Sequence, residues 1–146
     1  MYLFIIIPLI VAALSQAIKL IFDGIPNNFN WRHLISDYGG MPSCHTAYVT
    51  SLATIIGLVQ GFYSATFAIA FVLMIVVIRD AIGFRMEIGK NAILTNYLAK
   101  KVIKTKKITL LTERIGHKPS EIIAGLLLGA ALTVILYFTW MIISVN

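Results

Sequence analysis

Four stretches of the chain are apolar for long enough to be read as membrane-crossing helices, and the polar residues between them fall into two blocks. The runs cover about residues 2–22, 43–61, 62–80 and 120–143, each close to the roughly 20 residues that a helix needs to cross a hydrocarbon core. The last is the plainest, because Ile122 to Ile143 carries no charged residue. The second is diluted by Ser43, Thr46, Thr50, Ser51 and Thr54, which predicts a helix packed among others rather than facing lipid. Its residues Thr46, Thr50, Thr54, Gly57 and Gly61 recur at steps of three and four, the stripe through which membrane helices approach one another. The N-terminal run lacks the basic region and small-residue cleavage site of a signal peptide, so it is read as a span. From Met86 to Leu111 apolar residues are mixed with Lys90, Lys100, Lys101, Lys104, Lys106 and Lys107, the composition of a helix lying on an anionic leaflet. The pattern thus predicts an all-α integral membrane fold, four transmembrane helices plus a cytoplasmic interfacial amphipathic helix, as one domain over residues 1–146.

Composition agrees: 59% of the residues are hydrophobic, 12% are charged, and the mean hydropathy is +0.89, outside the range of soluble globular domains. The placement of charge adds an orientation. All twelve Lys and Arg lie between Lys19 and Arg32 or between Arg79 and Lys118, so the loops 23–42 and 81–119 are assigned to the cytoplasm and both termini to the outer side of a multi-pass cell-membrane protein. The net charge of +6 then reads as orientation and attraction to anionic lipid, not as nucleic-acid binding. Cys44 is the single cysteine, which excludes an internal disulfide.

Candidate chemistry collects at the ends of the apolar runs. In Gly39-Gly40-Met41-Pro42-Ser43-Cys44-His45-Thr46 two glycines let the backbone approach a ligand, and Pro42 suits a first helical turn. The N–H groups of residues 43 to 45 are expected to point outward at the positive end of the helix dipole, a place for phosphate; an ordinary helix start is the alternative. Ser15, Gln16 and Lys19 share one face at the end of the first run, with Lys19 either looking into the bundle or snorkelling to the interface. Arg79-Asp80-Ala81-Ile82-Gly83-Phe84-Arg85 sets two cations and an acid at the rim of the third run, where they either serve a site or lock helix ends through an Asp80 pair with Arg79 or Arg85. In Gly116-His117-Lys118-Pro119-Ser120-Glu121, Glu121 stands four residues after His117, and Gly125 and Gly129 extend the Glu121 stripe toward another helix. A carboxylate that holds one imidazole nitrogen leaves the other to act as nucleophile or base.

These segments resemble the divergent branch of the type 2 phosphatidic acid phosphatase and vanadium haloperoxidase superfamily. Residues 39–45 are similar to its Pro-Ser-x-His signature, with Cys44 where Gly or Ser is usual. Asp80 to Arg85 is similar to its acid-to-arginine segment, and Gly116 to Glu121 to its last motif, with Leu111 and Glu121 where an arginine and an aspartate are usual. The resemblance implies that His117 is the nucleophile that forms a phosphohistidine, Glu121 orients it, and His45 protonates the leaving group. It also implies that Lys19, Ser43 and Arg85 hold the phosphate, helped by Gly40 and Cys44, with Asp80 and Arg79 as supporting residues. The family core has six helices, so a homodimer is an expected way to complete the bundle.

The function expected is a membrane-embedded lipid phosphate phosphatase at the cytoplasmic leaflet, acting on a substrate such as phosphatidylglycerophosphate or phosphatidic acid. It needs no cofactor and no metal, and vanadate should inhibit it as a phosphate mimic. The competing chemistry is a divalent ion held by Asp80, Glu87 and Glu121. The competing functions are a lipid-phosphate-binding or transport protein of the same fold without turnover, and a small channel or transporter with buried charges along its path.

Overall fold

The computed structural model describes residues 2–22, 40–102, 109–113 and 116–145, most of them helical and with no strand among them. Among these described residues five helices follow in order: α1 (Leu3–Phe22), α2 (Cys44–Gln60), α3 (Ala65–Ile82), α4 (Phe84–Val102) and α5 (Pro119–Val145). The connector from Asp23 to Gly39, with the expected interfacial anchors Trp31 and Tyr38, lies outside the described residues, as do residues 103–108 and 114–115.

The polar second run forms the hub. α1, α3 and α5 each pack along α2, α1 also meets α5, and α4 packs against α3. Ile7 and Val11 of α1 share a buried cluster with Ala47 and Ile55 of α2. A second cluster joins Ala53 and Ile56 to Ala70 of α3. Helix association within a membrane gains little from the hydrophobic effect, since lipid tails are as apolar as leucine, and depends instead on close van der Waals packing. The tightest packing is between α2 and α5. A Cβ on Gly125 would stand 2.6 Å from the Ser43 carbonyl oxygen, and one on Gly129 would stand 2.5 Å from that of Ala47. One turn further along, the Thr133 hydroxyl lies 2.6 Å from Ser51 Oγ and 2.7 Å from the Gly129 carbonyl oxygen, all of it buried.

Where α2 meets α5 the contact is made by Ser43, Ala47 and Ser51 together with Thr46 of the expected stripe of Thr46, Thr50, Thr54, Gly57 and Gly61; the Thr46 Cβ would stand 3.1 Å from a Cβ on Gly125. Members of that stripe also meet other neighbours. Thr46 Oγ1 is 2.9 Å from Ser43 Oγ, Thr50 Oγ1 approaches Met74 Sδ of α3 at 3.6 Å, and Gly57 makes room for the Phe62 ring. The turn after α2 is short. Gly61, at φ +90°, donates to Gly57 O, and Ser64 then caps α3 by accepting from the Phe67 N–H at 3.1 Å.

Among the described residues three apolar stretches are long enough to cross a membrane: Leu3–Ile21, Ala65–Val102 and Pro119–Val145. Two features bear on the four spans expected. α2 has 17 residues, about 25 Å of helix at 1.5 Å per residue, against a hydrocarbon core of roughly 30 Å. The helix boundary near residue 80 is also softer than expected. Gly83 donates to Arg79 O at 2.8 Å and accepts from the Glu87 N–H at 3.1 Å, so the hydrogen-bonded path carries on from α3 into α4. α4 itself turns Gly89, Ala92 and Asn96 inward and leaves Ile88, Ile93, Leu94, Tyr97, Leu98 and its lysines exposed.

Gly129→Ala is expected to destabilise the protein measurably, because the new methyl group would press on backbone rather than on a side chain that can rotate away. Overpacking of this kind costs about 1–3 kcal/mol. Leu127→Ala, at an exposed position, is the control and should cost little. Thermal unfolding in detergent, followed by circular dichroism, checks both.

Candidate functional site

Glu121 assembles the site from the start of α5. The helix opens with Lys118 as its flanking residue and Pro119 at its first position, where the missing N–H of proline costs nothing. Glu121 then occupies the third position, from which a glutamate reaches back to cap the helix. Its Oε2 accepts the Lys118 N–H at 3.1 Å, the Gly40 N–H at 3.3 Å and a hydrogen bond with His117 Nδ1 at 3.0 Å. Its backbone carbonyl accepts the Ser43 N–H at 3.0 Å. One residue thus ties the Gly-Pro-Ser segment before α2 to the histidine segment before α5.

His117 is 7% exposed, and its backbone N–H donates to Ala81 O of α3 at 3.3 Å. Burial pushes the imidazole below the usual histidine range; the Glu121 carboxylate pulls the other way, and the Lys19 and His45 charges add to the lowering. Burial therefore favours the neutral ring. With Nδ1–H held by the carboxylate, Nε2 carries the lone pair. Gly116, at φ +100°, brings this loop against α4, since a Cβ there would stand 2.7 Å from the Met86 nitrogen.

His45, exposed in the first turn of α2, faces His117 across a cleft completed by Val77, Asp80 and Ala81 of α3 and Arg85 of α4. Arg85 Nε donates to Asp80 Oδ2 at 2.6 Å across the Gly83 junction, so of the two pairings expected for Asp80 the one with Arg85 forms. The interior room is about 10 Å³, the space of a single water. A phosphoryl group would have to sit at the mouth. Lys19, in the last turn of α1, is near enough for its charge to act on both Cys44 and His117.

Other expected phosphate holders face elsewhere. The Ser43 N–H is taken by Glu121, and its side chain is fully buried beside Thr46. The Gly40 N–H points at the Glu121 carboxylate. Cys44 Sγ lies 2.8 Å from Gln16 Oε1, which joins α2 to α1. Arg79 is exposed on the opposite side of α3, lining an apolar groove with Ile75, Ile78 and Ile82. The competing metal set does not converge: Glu87 pairs with Lys90 at 2.6 Å, Asp80 with Arg85 and Glu121 with His117. Sequence reasoning missed Asn96, whose buried carboxamide holds the segment that leads to His117. Its only signal was an amide among apolar and basic residues.

Comparison with known proteins gives the family. A family model described as the divergent PAP2 family matches residues 3–132. YuiD, an uncharacterized membrane protein of Bacillus subtilis (strain 168), is 32% identical over 141 residues, which covers 87% of this chain and 89% of that protein. No solved structure matches the chain. With the family model extending from the first residues of α1 well into α5, the chain belongs to the divergent PAP2 family.

Proposed function

We propose that the protein is a lipid phosphate phosphatase that works through a phosphohistidine at the cytoplasmic face of the membrane. The observation that carries the reading is the buried, carboxylate-held His117 facing His45 beside the Arg85 and Lys19 cations. In this reading His117 Nε2 attacks phosphorus, the bond to the lipid oxygen breaks, and His45 gives that oxygen a proton. His45 then takes a proton from water, which attacks the phosphohistidine and frees inorganic phosphate and neutral His117. Arg85 and Lys19 meet the charge that spreads over the phosphoryl oxygens. The chain passes the membrane four times, α2 included, with its termini outside and α4 on the inner leaflet, and a homodimer supplies the helices missing from a six-helix core.

A second reading has its own support. The Ser43 and Gly40 amides are engaged by Glu121, and Arg85 is paired with Asp80, so the same fold could hold a lipid phosphate without turning it over. Phosphate release by purified protein from a panel of lipid phosphates separates the two: release supports the phosphatase, and binding without release supports the binder.

His117→Ala is expected to abolish release while lipid phosphate still binds. His45→Ala is expected to slow release by about 10²–10⁴-fold from a lipid alcohol, as loss of a general acid does, and by less from an aryl phosphate with a good leaving group. Vanadate should inhibit the wild type and EDTA should not. Turnover that persists in His117→Ala, or that disappears with EDTA, would refute the mechanism.

The lowered affinity of His117 for a proton sets the pH response. A histidine depressed below about 6.5 keeps its nucleophilic, neutral form into mildly acidic solution, so the acid limb of kcat/KM falls on that side. Glu121 is the group that raises the proton affinity. Glu121→Gln is therefore expected to move the acid limb to still lower pH while reducing kcat, and comparison with wild type on the same substrate cancels the substrate's own titration.

Cysteines introduced at Ser64 and at Lys106, in a Cys44→Ser background, are expected to label from opposite sides of the membrane. Labelling of both from one side would overturn the proposed topology.

A further inference from the structure

Asn96 stands out on α4. The helix is amphipathic and largely exposed, yet this residue is only 3% exposed and its carboxamide uses both donors and its oxygen. Its Oδ1 accepts the Leu111 N–H at 2.9 Å, and its Nδ2 donates to the Leu111 carbonyl at 2.8 Å and to Glu113 Oε1 at 2.8 Å. The carboxamide thus pairs with the Leu111 peptide at two points, as a neighbouring strand would. Residues 109–113 are not helical, and the amide supplies their backbone with partners that a helix would have provided internally. Gly89 and Ala92, buried on the same face of α4, keep that face narrow.

We propose that Asn96 is the positioning residue for His117: it clamps residues 111–113 to α4 so that the loop delivers the imidazole to the cleft in one orientation. Three contacts then fix the loop in sequence. Asn96 holds Leu111, Gly116 rests on the Arg85–Met86 backbone, and the His117 N–H bonds to Ala81 O. Two of the three lie on α4, the helix that also carries Arg85. α4 therefore bears on both the imidazole and the guanidinium, and their separation does not depend on the loop alone. The role also accounts for Leu111, whose side chain is 53% exposed: the position contributes its peptide group.

The test compares wild type with Asn96→Ala, Asn96→Asp and Asn96→Asp combined with Glu113→Gln, each purified in detergent. Hydrogen exchange across residues 109–117 and the rate of His117 modification by diethyl pyrocarbonate, both read by peptide mass spectrometry, report the clamp directly. In Asn96→Ala both are expected to rise by about tenfold or more, while exchange in α2 and α5 stays as in wild type. Asn96→Asp keeps the bond from the Leu111 N–H but sets a second carboxylate against Glu113, so it should loosen the segment too. Glu113→Gln in that background supplies a donor in place of the repelling charge and should restore much of the protection. The turnover arm rests on the phosphatase reading: kcat should fall about tenfold in Asn96→Ala with KM within about threefold, since Lys19 and Arg85 are untouched. Unchanged exchange and unchanged His117 reactivity in Asn96→Ala, or no relief from Glu113→Gln, would overturn the proposal. Loosening of the loop in a protein whose wild type releases no phosphate would uphold the clamp and refute the phosphatase.

Discussion

The backbone contact between α2 and α5 at Gly125 and Gly129 is the constraint on which the site depends. With the Ala47 carbonyl 2.5 Å from where a Gly129 Cβ would stand, the two helices have one distance and one rotation available to them. That register carries a consequence one turn up. Glu121, Gly125, Gly129 and Thr133 lie on one stripe of α5, so the contact that seats the glycines on Ser43 and Ala47 also sets Glu121 against the start of α2. The deep end of the stripe is closed by Thr133 with Ser51, and the rim end by Glu121 with Ser43 and Gly40. Polar contacts at both ends fix a register that apolar packing alone would leave free to slide.

At the rim, the demands of folding and of chemistry meet on one carboxylate. A glutamate in the first turn of α5 is favourable for the helix by itself, through the dipole and the back-reaching cap. Here Oε2 also takes the Gly40 N–H and His117 Nδ1. A longer acid in place of aspartate suits this position, since it must cap its own helix and reach a histidine four residues back and a loop eighty-one residues away. The cost is that the Ser43 and Gly40 amides serve the helix junction, so the anion-holding capacity of the α2 start is smaller than the sequence pattern suggests.

Much of this was legible from spacing. The four-residue step from His117 to Glu121 puts both on one face of a helix start, and the glycines at 125 and 129 continue that face; both inferences need only helical geometry. Pairing of Asp80 with Arg85 rather than Arg79 was not legible, because it depends on how the chain turns at Gly83, which the apolar pattern crosses without a mark. The α2 stripe was legible only in part for a related reason. Threonines at 46, 50 and 54 and small residues at 43, 47 and 51 sit on adjacent faces of one helix, and only the partner's glycines decide which face is close-packed. Asn96 was out of reach altogether: its role exists only once residues 109–113 fold back on α4.

Cations and acids stand together around the two imidazoles before any ligand arrives. Arg85 is paired with Asp80, His117 with Glu121, and Lys19 is near enough for its charge to act on His117. An anion entering the cleft therefore exchanges partners and does not fill a vacancy. It competes with Asp80 for the Arg85 guanidinium, and it finds room for about one water between the histidines. Desolvation opposes protonation of the buried His117 imidazole, while the Glu121 carboxylate beside it favours the proton.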